Sequence, residues 1–197
     1  MTPLRKVTFS VGLATGLVLS GASAVIAICG GEIEAALPQR VTFNGGEVVD
    51  ILARDSLGLR YRISRPGQTE STEVLIQAGI FILEVRKNEE TISFEWTSEL
   101  PRIEDLEVGA EFVATARRKT ANGDESDFET RAQVTGVSTV ELSGCDYPVL
   151  VIEIQNTHNG KDAGKVTKFL HIFSQIPLKN LVIEGSKTTE NLVVEIR

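Results

Sequence analysis

The chain has 197 residues, 20 Lys+Arg against 27 Asp+Glu, a formal net charge of -7, 6% aromatics and two cysteines. That composition excludes a disordered chain, a collagen-like chain and a disulfide-dense scaffold, and the length is enough to bury a core. An acidic balance with no Lys/Arg cluster to offset it argues against a nucleic-acid binder, because the phosphate backbone demands concentrated positive charge.

Residues 1–27 read as an export signal. Arg5 and Lys6 give a positive start, residues 7–19 carry no charge, and small residues follow from Ser20 to Ala24. Ala22-Ser23-Ala24 and Val25-Ile26-Ala27 both fit the small-x-small rule, so cleavage is expected after Ala24 or Ala27. The uncharged stretch 7–28 is also long enough to span a bilayer as an uncleaved anchor. A lipid-modified Cys29 would want a small residue before it, whereas Ile28 is bulky and β-branched. The expected location is periplasmic or secreted. Membrane contact would come only through a retained signal segment. In an oxidising compartment Cys29 and Cys145 are expected to form one disulfide, clipping the new N-terminus onto the body near Gly144.

From Arg40 onward the pattern has period two. Leu59, Tyr61 and Ile63 alternate with Arg60, Arg62 and Ser64, and Ile92, Phe94 and Trp96 alternate with Thr91, Ser93 and Glu95. Phe128, Ala132 and Val134 alternate with Glu129, Arg131 and Gln133, and Leu150, Ile152 and Ile154 share a face opposite Glu153 and Gln155. Such strands have one dry and one wet face, as antiparallel sheets do. The runs Val74-Leu75-Ile76, 80–85 and Phe169-Leu170-His171-Ile172-Phe173 are apolar on both sides, which predicts central or covered strands. Asn44-Gly45-Gly46, Arg65-Pro66-Gly67, Ala121-Asn122-Gly123-Asp124 and Asn159-Gly160-Lys161-Asp162 supply the turns. Eleven or twelve strands follow from this count, with helix confined to short candidates at 31–37 and 101–106. Residues 28–197 form a single β domain, with 98–109 the place for any subdivision.

The chemistry-bearing residues are sparse. His158 and His171 match no zinc spacing and would not meet across a hairpin turning near Gly160, so no metal site is expected. Ser143-Gly144-Cys145 does not follow the Gly-x-Ser-x-Gly pattern of a nucleophile elbow, because Glu141 stands where the first glycine would be. No catalytic residue and no cofactor is assigned; a hydrolase using Cys145 or His171 is the second alternative. Arg117-Arg118-Lys119 is the one basic run, and it is expected to pair across a hairpin with the acids from Asp124 to Asp127. The aromatic residues fall mostly on the apolar side of the strands. Phe94, Trp96, Phe169, His171 and Phe173 are the candidates for a ligand-binding surface if a curved sheet leaves its inner face open.

Between 106 and 184, Leu106-Glu107-Val108-Gly109 precedes a long strand, Val134-Thr135-Gly136-Val137 follows a hairpin, and Ser143-Gly144-Cys145-Asp146-Tyr147-Pro148 leads into another strand. This arrangement resembles uncharacterised secreted bacterial proteins with half-barrel sheets, similar in shape to periplasmic lipoprotein carriers. The resemblance implies export and a strongly curved antiparallel sheet, and brings no catalytic residue with it. The carriers plug their concave face with helices, for which this chain has no segment long enough, so a two-sheet sandwich stays open as the alternative. The functional expectation is an exported, non-enzymatic β protein acting by binding or assembly on an apolar small molecule or an envelope protein. A periplasmic carrier of a lipid or other apolar ligand is the alternative.

Overall fold

The structure is a computed structural model and describes residues 38–197. The expected export segment, its cleavage positions, Cys29 and the helical candidate at 31–37 lie outside the described residues.

Twelve strands follow one another: β1 (Arg40–Phe43), β2 (Val48–Asp55), β3 (Gly58–Ser64), β4 (Thr72–Gln77), β5 (Phe81–Lys87), β6 (Glu90–Trp96), β7 (Glu111–Thr120), β8 (Glu125–Leu142), β9 (Cys145–His158), β10 (Lys161–His171), β11 (Ile176–Glu184) and β12 (Lys187–Ile196). The helical candidate at 101–106 is a single 3-10 turn, Ile103–Asp105, in which Asp105 accepts from the Arg102 backbone N–H at 2.7 Å. Every strand pairs antiparallel with the next in sequence, and β1 pairs with β12. The all-β antiparallel expectation therefore holds, and its curvature runs to completion. The sheet closes into one barrel, leaving none of the free edges that a half-barrel or a sandwich would keep.

Closure follows from the turns. At Ser143-Gly144 and Asn159-Gly160 both residues have positive φ, between 51° and 79°. Two-residue loops of this kind match the right-handed twist of the strands they join. They set the register at Leu142↔Cys145 and His158↔Lys161.

Cross-strand partners share a face, so the register traces both faces around the wall. Ile51, Tyr61, Val74, Val85 and Ile92 stand in one row on the inside. One residue along, Arg40, Asp50, Arg62, Glu73 and Arg86 form an outer row of alternating charge. Within it Arg40 pairs with Asp50 and Arg62 with Glu73, each at 2.6 Å. Two residues of the basic run pair across the hairpin as expected, Arg117 reaching Asp127 at 3.0 Å and Lys119 reaching Glu125 at 3.6 Å, while Arg118 stands opposite Ser126 instead. Such exposed pairs contribute under about 1 kcal/mol each. An apolar interior behind a charged exterior reverses the pattern by which a barrel sits in lipid.

The buried apolar residues form two clusters. One gathers Phe81, Val134, Ile152, Ile154 and Leu170 around the β7–β10 wall. The other gathers Phe43, Leu59, Val74, Ile176 and Val193, and the tip of the β8–β9 hairpin adds Val140, Leu142, Cys145, Tyr147 and Val149 to it. Val149 and Leu150 are neighbours with opposite-facing side chains, yet only 1% and 4% exposed. β9 is thus covered on both faces there. The two-sided apolar run at Val74-Leu75-Ile76 is buried as expected. The run ending at Phe173 is not a strand throughout: β10 stops at His171, and Ile172 and Phe173 are exposed on the turn to β11.

Candidate functional site: a lumen cavity with a buried lysine

A cavity of about 200 Å³ lies against the six contiguous strands β3, β2, β1, β12, β11 and β10. Its apolar wall is made by Phe43, Val49, Ile51, Tyr61, Val166 and Val182, alternate residues on their strands and hence inward-facing. It is larger than the engineered ~150 Å³ protein cavity known to hold benzene, and smaller than most drug-sized pockets.

A polar rung crosses this wall. Lys168 of β10 stands opposite Asn180 of β11, and Asn180 opposite Asn191 of β12. All three line the cavity. The Lys168 ammonium donates to the Gly79 carbonyl oxygen at 2.7 Å. Burial pulls its pKa down to about 8, and among the described residues no carboxylate pairs with it. The Asn180 Oδ1 atom is buried with no hydrogen-bond partner among the described residues.

Gly79 reaches Lys168 because the β4–β5 turn folds inward. Its φ is +69°, and an added Cβ would lie 2.6 Å from Leu170 Cδ1. Only a residue without a side chain brings this carbonyl so close to β10. Toward the mouth, burial and then the charge of Glu47 push the Tyr61 hydroxyl up to about 12. Glu47 is itself held by Arg65, whose Nε donates at 2.8 Å.

The aromatic candidates divide into two groups that do not meet. Phe94 and Trp96 are packed inside. Phe94 lies edge-on to Phe128 at 4.9 Å, Trp96 edge-on to Phe81 at 5.3 Å, and the indole N–H donates to the Ile82 carbonyl. Phe169 and His171 sit on the other face of β10 from Val166, Lys168 and Leu170. His171 is buried, lies edge-on to Tyr147 at 6.0 Å, and its Nδ1 is 3.0 Å from Ser174 Oγ. Phe173 is half-exposed beside it, with ring centroids 5.7 Å apart. None of these five lines the cavity. Cys145, 3% exposed at the β8–β9 tip, is likewise outside it, and its expected partner Cys29 lies beyond the described residues.

The sequence reading missed Lys168, Asn180 and Tyr61 as site residues. A signal for the first was present: Lys168 is in phase with Val166 and Leu170, a polar position inside an apolar row. It also missed a serine–histidine contact, His158 Nε2 to Ser126 Oγ at 2.8 Å. Among the described residues no carboxylate orients His158 at Nδ1, the third group that a nucleophilic triad requires. No three His, Cys, Asp or Glu side chains gather to hold a metal among the described residues.

No protein-family model matches the chain, and no curated protein matches it. Among solved structures it is similar to the hypothetical lipoprotein YmcC from Escherichia coli, with 12% identity and a TM-score of 0.47 over 83% of this chain and 86% of that one. At that level no residue role passes from one chain to the other.

Proposed function

We propose that this chain is an exported, non-enzymatic binding protein of the bacterial envelope, periplasmic or secreted, that takes a small apolar or amphipathic molecule into the lumen of its barrel. One observation carries the reading: a closed barrel in which an inward apolar wall leaves about 200 Å³ unfilled. A mostly apolar concavity of this size, open at one mouth and carrying a few polar groups, has the make-up of a small-ligand site. The charge pattern of residues 1–27 supports export. A Cys29–Cys145 bridge belongs to the same reading, because an oxidising compartment would close it.

Native mass spectrometry of the protein isolated from its own host tests this, together with titration of the purified protein with an environment-sensitive naphthalene dye. A retained small molecule, or saturable dye fluorescence displaced by short-chain aliphatics with the far-ultraviolet dichroism unchanged, is the expected result. A ligand-free mass with no saturable dye binding would overturn the reading.

A further inference from the structure

The chemistry of the cavity floor selects a head group. A buried ammonium ordinarily finds a carboxylate, since desolvating a charge is costly unless it is paired. Lys168 has a neutral carbonyl instead, at 2.7 Å from Gly79. Across the same rung, Asn180 Oδ1 is buried and accepts from nothing among the described residues. The rung therefore offers one unneutralised donor and one unused acceptor. Directly opposed residues of an antiparallel pair have Cβ atoms about 5 Å apart, so one small head group can meet both. The acid on the cavity wall, Glu47, is already held by Arg65 at 2.8 Å.

We propose that the lumen cavity binds a short-chain hydroxy carboxylic acid, its carboxylate accepting from Lys168 Nζ, its hydroxyl donating to Asn180 Oδ1, and its alkyl tail lying against Val166, Val182, Ile51 and Phe43. The inference rests on the lumen-binding reading and adds the head group to it. The tail length follows from the space: a volume somewhat above that of a benzene site holds about eight carbons. The carboxylate replaces solvation that Lys168 lost on burial, which makes this a charge-assisted contact. A neutral analogue would fill the same volume and leave the ammonium as it is.

The test is calorimetric titration of the full protein at pH 7 with octanol, octanoate and 3-hydroxyoctanoate. On the unaltered protein octanoate should bind at least tenfold more tightly than octanol, and 3-hydroxyoctanoate more tightly again. Lys168→Met should erase the preference of octanoate over octanol while octanol binding persists. Asn180→Leu should erase the gain from the hydroxyl and leave that from the carboxylate. Octanol and octanoate binding equally would overturn the head-group assignment and leave lumen binding standing. Binding of none of the three at millimolar concentration would overturn lumen binding itself. The comparison of ligands on the unaltered protein needs no variant to fold.

Discussion

Lys168 and Asn180 face one another across β10 and β11 on the inside of the barrel, the first with its ammonium on the Gly79 carbonyl and the second with its carbonyl oxygen unbonded among the described residues. The pair sets the pH behaviour of the fold. Lys168 titrates near 10.5 in the unfolded chain and near 8 when buried. Below pH 8 it is charged in both states, and the full burial penalty is present. Between pH 8 and 10.5 the unfolded chain holds a proton that the folded chain has released. Stability should therefore rise with pH across that window, by up to about 3 kcal/mol. Tyr61, pushed up to about 12, works in the opposite sense and removes stability as pH climbs from 10 to 12. Urea midpoints measured from pH 7.5 to 9.5 should increase for the unaltered protein and stay flat for Lys168→Met. Parallel curves would show that the buried ammonium is not the source.

Gly79 holds its carbonyl against Lys168 by having no side chain. Gly79→Ala places a Cβ against Leu170 at a positive φ, and should destabilise the barrel by about 2 kcal/mol in denaturant unfolding. Because the turn must retreat, the same variant should return the Lys168 pKa toward its ordinary value, readable by NMR titration of the labelled side chain. A stability change of a few tenths of a kcal/mol would contradict the close approach.

The cavity can be filled from the wall. Val182→Phe extends a ring into space bordered by Val166 and Ile51. Dye or octanoate binding should fall at least tenfold, with the melting temperature held or raised, as filling a void restores contacts. Undiminished binding would place the ligand elsewhere.

Burial separates two further substitutions. Ile152 is 0% exposed within the β7–β10 cluster, and Ile152→Ala should cost about 2–5 kcal/mol. Val137 is 72% exposed on β8, and Val137→Ala should change stability by less than about 0.5 kcal/mol. Similar values at both positions would refute the packing described.

The proposed Cys29–Cys145 bridge closes a loop of more than a hundred residues. The non-reduced exported protein should be two hydrogens lighter than its sequence mass, about 2 Da, with no titratable thiol. Cys29→Ser should lower stability by about 4–5 kcal/mol on chain-entropy grounds. Two titratable thiols in protein taken from the native compartment would remove the bridge.

Much of the fold is legible without coordinates because side-chain alternation and turn chemistry are local. The spacing of Leu59, Tyr61 and Ile63 names a strand, Asn159-Gly160 names the hairpin that follows β9, and the charges of Arg117 and Lys119 find Asp127 and Glu125 across the β7–β8 hairpin as their signs require. Whether the sheet's edges meet is a different matter. The pairing of Val41 with Ile196 joins the two ends of the described chain, and no short-range pattern encodes it.

The site was harder to read for a related reason. On β10 the aromatic residues Phe169 and His171 mark one face, and the sequence draws attention to it. The barrel turns the other face, with Val166, Lys168 and Leu170, toward the lumen, and covers the first with the hairpin of β8 and β9. Both faces are apolar enough to be buried, so alternation alone cannot rank them. Bulges settle the choice, such as those between Asp162 and Lys165 and between Val134 and Gly136, because one extra residue reverses which side chains point inward. Sequence thus determined the strands, their turns and their charged surface through local geometry. The tertiary structure alone decided closure and the inward face, and so turned an ordinary strand lysine into a buried charge without a counter-ion.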